Sequence, residues 1–204
     1  MGYLTTTSTH PSGNGVGLLE RVETSTSPLS DTVASFESTL RYLRAQGAND
    51  DLTLYEALQG AAIEAEKRLN RTLRPTVTRT IYYRGFEYRI PIPFPPLQSI
   101  TSVKYYNQAD TLTTISSSDY AVHASSDGPG WVEFQADYSF PSINSDRSDV
   151  VQVIAVTGWA DSDSIPPHYK SFVRCVCEAI YDRSDFALKN SKRFEDQFAY
   201  RGRP

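Results

Sequence analysis

The chain has 204 residues, enough for one domain with a real core or for two small ones. Apolar residues make up 39% and charged residues 22%, the net charge is −4, and no block of clustered Lys and Arg occurs in the body of the chain. That balance argues against a protein that coats nucleic acid, and no apolar run approaches the ~18–20 residues that a membrane-spanning helix needs.

The N-terminus, MGYLTTTSTHPSGNG, has neither the basic start nor the apolar core of a signal peptide, so synthesis in the cytoplasm is expected. Residues 1–30 are rich in Thr, Ser, Gly and Pro, with one apolar island at Val16 to Val22. They are expected to form an extended arm that orders only where it docks. The Gly13-Asn14-Gly15-Val16-Gly17 run lacks the strand and helix that a phosphate-cradling loop requires.

Two helices are expected over about 31–72. Val33, Phe36, Leu40 and Leu43 recur at helical spacing before Gly47. Leu54, Leu58, Ala61, Ala62, Ala65 and Leu69 then line one face of a second helix, for which Thr53 and Glu56 have capping-box spacing. Residues 76–157 read as β-structure. TVTRTIYY and FEYRIPI alternate around Arg84-Gly85, the pattern of a hairpin, and Pro91, Pro93, Pro95 and Pro96 place the end of that segment at a sheet edge. SITSVKYYN, TLTTI, DYAVH and WVEFQ follow as short strands, and the apolar VVQVIAVTG is expected mid-sheet.

A third helix is expected over about 166–186, burying Tyr169, Phe172, Val173, Val176 and Ile180. Residues 187–204 then form a basic, aromatic tail. It sets Lys189, Lys192, Arg193, Arg201 and Arg203 against Glu195 and Asp196, a net +3 that leaves −7 on the rest of the chain. The expected fold is α+β: a bundle of three helices packed with an antiparallel β-unit, flanked by a flexible arm and tail.

The joint TGWADSDSIPPHYKSFV, residues 157–173, gathers Asp161, Asp163 and His168. Zinc takes three or four N, S or O ligands and calcium six or more oxygens, so these side chains supply only part of either set. Capping accounts for them better. Gly158 ends a strand, Ser164 is a natural N-cap, Pro166 suits a first helical turn, and the aspartates favour the positive end of a helix. Cys175 and Cys177 lie two apart on a helix and diverge by about 200°, so one is expected to be buried and the other marginal. His123 with Asp119 or Asp127 lacks a nucleophile elbow, and no acidic pair suits glycoside hydrolysis. Neither a catalytic residue nor a metal or cofactor site is assigned.

The order of the elements resembles the head–tail connector (adaptor) proteins of tailed bacteriophages and of gene transfer agents. The likeness covers roughly residues 29–186. SFESTLRYLRAQGANDD is similar to the family's opening helix and acidic loop, and LYEALQGAAIEAEKRLNRTL to its next helix. IPIPFPPLQSITSVKYYN resembles the Pro-rich turn into a strand ending in paired tyrosines, and DYAVH the short strand after it. VIAVTGW followed by IPPHYKSFVRCVCEAIYDR resembles the last strand and the Pro-started helix.

The resemblance implies a structural part and no enzyme. It implies a ring, usually twelvefold, beneath the portal protein of a virion or phage-like particle, made in the host bacterial cytoplasm. Such a ring extends a channel through which DNA passes without sequence-specific binding, and it gives stopper or tail proteins a docking surface. Phe194, Phe198, Tyr200, Arg201 and Arg203 are the expected contacts to the portal or a neighbouring subunit, since aromatic and Arg side chains commonly anchor interfaces. The alternatives are a stopper or tail-side completion protein, and a small hydrolase or metal protein using Asp161, Asp163, His168 or His123.

Overall fold

A computed structural model of the chain describes residues 19–25, 33–44, 51–125, 128–182 and 185–199. They divide into two units, one holding 19–25 and the described part of 77–157, the other the described residues of 28–76 and 158–201. The α+β class stands.

In the first unit, alternating side chains build strands whose inner faces are buried. β1 (Leu19–Ser25), β2 (Val77–Tyr83), β4 (Leu97–Tyr106), β5 (Leu112–Thr114) and β8 (Val151–Thr157) form an antiparallel sheet in the order β1-β2-β8-β4-β5. β8 is central, as its apolar sequence predicts; it buries Val151, Val153, Ala155 and Thr157 in strict alternation. β3 (Arg89–Ile92), β7 (Gly130–Phe134) and β6 (Tyr120–His123) form a second antiparallel sheet, with β7 in the middle. Pro91, which has no N–H to donate, lies on the edge strand β3 opposite Trp131.

The expected hairpin around Arg84-Gly85 does not form, because β2 pairs with β1 and β8 while β3 pairs with β7. Between them Phe86 enters a cluster of rings with Tyr105, Phe134 and Phe140, which draws the chain out of the first sheet. The Tyr83 hydroxyl donates to the Pro91 carbonyl at 2.6 Å. Strand β1 falls within residues 1–30, where it docks along β2 and buries Val22; residues 1–18 and 26–30 lie outside the described part.

The second unit holds α1 (Phe36–Leu43), α2 (Asp51–Leu69), α3 (Pro167–Tyr181) and α4 (Asp185–Phe198). Its core joins Val33, Leu54, Leu58, Leu69, Ile165 and Phe172 among others. Ser35 is the N-cap of α1, accepting from the Ser38 N–H at 3.3 Å. Helix α2 begins at Asp51, so Thr53 and Glu56 sit inside it, both exposed, and do not form a capping box. Ile180 is exposed rather than part of the buried face of α3. The structure has four helices among the described residues, and α4 takes up residues 185–198. Ala187 and Ser191 are buried along it and Phe194 and Phe198 pack on the core, a stripe at helical spacing.

Candidate functional site

At the joint between β8 and α3, Gly158 has φ +98°, and a Cβ there would lie 2.1 Å from the Arg74 carbonyl oxygen. Glycine is therefore required both by conformation and by the close approach of the 70s segment. Next to it, Thr76 N–H donates to the Trp159 carbonyl at 3.1 Å, and Pro75 bridges Trp159. The 70s segment is itself organised by Glu66. Its carboxylate accepts the backbone N–H groups of Leu73 and Arg74, both at 2.9 Å, and the Arg74 guanidinium at 2.8 Å. This buried ion pair also satisfies backbone donors just past the end of α2, a role the sequence did not disclose.

Asp161 turns back on its own loop. Its Oδ1 accepts the backbone N–H of Ser164 at 2.7 Å and the Ser164 hydroxyl at 2.6 Å. These hydrogen bonds hold its carboxyl below the usual carboxylate range. Ser164 is not the N-cap of α3. Pro166 occupies that place with no side-chain cap, and Pro167 opens the helix. The first turn of α3 holds no acidic residue, and Asp161 organises the preceding loop where the aspartates had been expected to favour the helix end. His168 stacks on Phe198 at 4.6 Å and lies 4.1 Å from the Tyr169 ring. Acid and imidazole thus engage different neighbours. Among the described residues, no group of three or more His, Cys, Asp or Glu could hold a metal ion.

His123 lies on the three-stranded sheet. Its Nε2 is 3.1 Å from Glu133, and its ring stacks on Trp131 at 4.9 Å. Glu133 also accepts the Trp131 indole N–H at 3.1 Å and faces Arg89 at 3.4 Å, while the Arg89 guanidinium lies 4.6 Å from the Trp131 ring centre. The indole hydrogen bond, helped by Arg89, lowers the Glu133 carboxyl. This is a set of cross-strand pairs, and the acid next to His123 is Glu133, not Asp119. Asp127 lies outside the described residues. Cys175 and Cys177 are both buried, where one had been expected at the margin. Burial pushes the Cys177 thiol up to about 12 and raises that of Cys175, so neither is primed as a thiolate.

Of the residues expected to meet a partner, Phe194 and Phe198 lie half-buried on α4. Their rings approach Phe172 and Tyr169 at 6.0 and 6.1 Å. Tyr200, Arg201 and Arg203 lie outside the described residues. What the sequence reading passed over is the outer face of α2, where Leu52 is 71% and Ile63 46% exposed. Their spacing off the buried stripe was the available signal.

No protein-family model matches this sequence, and no curated protein matches it. Solved structures do. A chain from the neck of an empty gene transfer agent particle, computed with C6 symmetry, is 15% identical with a TM-score of 0.68 over 90% of this chain and 99% of its own. A chain from the virion of a native gene transfer agent is 16% identical with a TM-score of 0.70 over 90% and 99%. A chain from the neck of a native particle, computed with C12 symmetry, is 14% identical with a TM-score of 0.66 over 88% and 97%. At such identities the likeness is one of fold, and it runs along nearly the whole of both chains.

Proposed function

We propose that the chain is a structural head–tail connector (adaptor): a subunit of a ring beneath the portal of a phage or phage-like particle. The ring extends the DNA channel and offers a docking surface to stopper or tail proteins. The observation that carries this reading is the shared fold with a gene transfer agent neck chain across 90% of this chain and 99% of that one. The symmetry of the neck structures, C6 and C12, supports a closed ring and favours twelve subunits. Net charge supports it too. Outside residues 187–204 the chain carries −7, which suits a channel wall that must not grip passing phosphates. The role needs no catalytic residue, metal or cofactor, and it places the protein at the head–tail interface after synthesis in the bacterial host.

The C-terminal residues are the proposed contact to the portal or an adjacent subunit. Phe194 and Phe198 seat α4 on its own core, and Tyr200, Arg201 and Arg203 follow it as the docking group. Truncation after Ala199 leaves α4 intact and is expected to abolish co-purification with portal rings. Unchanged binding overturns that contact.

The decisive test of the ring is electron microscopy of the protein mixed with its portal. A ring stacked on the portal is expected; lack of association counts against the adaptor role. Binding to tail proteins but not to the portal would assign the chain to the stopper or tail side instead.

A further inference from the structure

We infer that neighbouring copies of this chain meet through the outer face of α2 on one copy and the outer face of α4 on the next. This rests on the ring reading and specifies its subunit contact.

Helix α2 buries one side and carries two exposed apolar residues, Leu52 and Ile63, on the other. Leu54, Ala57, Leu58, Ala61, Ala62, Ala65 and Leu69 are buried, while Leu52, Glu56, Gly60 and Ile63 lie along the opposite, exposed face. Exposed apolar side chains aligned with each other mark contact surfaces more than scattered ones do. Gly60 adds an independent sign. A mid-helix glycine destabilises the helix relative to alanine. Among the described residues nothing calls for it, since a Cβ there would meet none of their atoms within 4 Å and its φ is not positive. Close approach of a second helix, whose side chains would fill the notch between Glu56 and Ile63, gives the glycine a purpose.

The occupant is argued from charge. Exposed Glu56 lies near the start of this face and exposed Lys67 at its end, so α2 reads acid then base. Helix α4 reads the other way, with exposed Lys189, Lys192 and Arg193 ahead of Glu195 and Asp196, and with Leu188 38% exposed beside them. Crossing the two helices in parallel sets opposite signs together at both ends, with Leu188 opposite the apolar stripe. The two faces cannot meet within one chain. Helix α4 turns Ala187 and Ser191 inward, where the Ser191 hydroxyl takes an Arg68 guanidinium hydrogen bond at 3.3 Å, and its cations face away. Two different, complementary surfaces on one chain make a head-to-tail contact, the kind that propagates and closes into a ring.

The test is thiol cross-linking of the full-length chain. The native Cys175 and Cys177 are buried, so the parent protein serves as the unreactive control. Chains carrying Ile63→Cys and chains carrying Lys192→Cys are mixed over a concentration series and oxidised. A cross-linked dimer in the mixture, well above either chain alone, is expected. Glu56→Lys should cut its yield several-fold, and Lys189→Glu with Arg193→Glu on the Lys192→Cys chain should restore it. Gly60→Leu should lower the yield, whereas Gly60→Ala should raise the melting temperature of the free chain. Self-association without the Ile63–Lys192 product overturns this contact and leaves the ring standing. A chain that yields no cross-link at any concentration also overturns it, and the ring is then decided by the portal mixture alone.

Discussion

Gly158 leaves β8 at φ +98° with the Arg74 carbonyl oxygen where a Cβ would stand. Gly158→Ala therefore adds backbone strain to a contact that must shift. It is expected to cost about 2–3 kcal/mol, read as a lower urea midpoint with unchanged slope. Three positions on, the carboxylate of Asp161 is held by Ser164, and its proton affinity is lower in the folded chain than in the unfolded one. The sign follows from that. On acidification the unfolded chain takes up this proton first, so the stabilising contribution is full above the ordinary carboxylate range. It drains away as pH falls through the folded value. Asp161→Asn removes the linkage and is expected to flatten the acid limb of a stability-against-pH curve while leaving neutral and alkaline points parallel to the parent. A curve of unchanged shape would show that Ser164 does not favour the carboxylate.

Helix α4 is held by a few aromatic rings. Phe198 touches both His168 and Tyr169 and lies 6.0 Å from Phe194. Phe198→Ala, at a half-buried site, is expected to cost about 1–3 kcal/mol. Hydrogen exchange should speed up along α4 while amides of α2 stay protected, since the loss is local. This helix shows where sequence legibility ends. Its inward stripe, Ala187, Ser191, Phe194 and Phe198, has helical spacing. Yet one serine and one alanine carry half of it, and the cations between them dominate the composition. Central β8 was legible because seven residues with no charge among them declare a strand buried on its inner face. The β2–β3 hairpin misled because alternation identifies a strand without naming its partner, and partner choice was settled by the distant β8 and by Phe86. The joint turns the chain from β8 into α3, as its glycine and prolines implied. Its mechanism differed, because Asp161 caps Ser164 in the loop while a proline stands at the N-cap. The outer face of α2 stayed hidden, as a sequence shows that Leu52 and Ile63 are apolar but not that both stand exposed among the described residues.

At the scale of the molecule, residues 77–157, the larger part of the β-rich unit, are inserted between two stretches of the helical one, while strand β1 precedes it. The chain leaves the helical unit after Thr76 and re-enters at Gly158. Those two points are neighbours, because the Thr76 N–H donates to the Trp159 carbonyl and Pro75 bridges the same residue. A short connection can thus close the helical unit without stretching any backbone, and loop closure over so small a gap costs little entropy. Replacing residues 77–157 by a brief Gly/Ser linker, with residues 1–27 also removed because β1 would lose its partner β2, is expected to leave a chain with a helical circular dichroism spectrum and one cooperative unfolding transition. Its slope in urea should fall with the smaller surface exposed. The chain's only two tryptophans are Trp131 and Trp159, so the excised protein reports through Trp159 alone, beside Tyr169 at 6.1 Å. Native-like emission that shifts in step with the loss of helix would establish an independent fold. A broad, non-cooperative melt would show instead that the helical core depends on the inserted strands. The outcome bears on assembly as well. Ile63 and Lys192 both belong to the helical unit. If that unit folds alone, the proposed cross-link between copies should survive excision, which would confine the proposed contact to the helices.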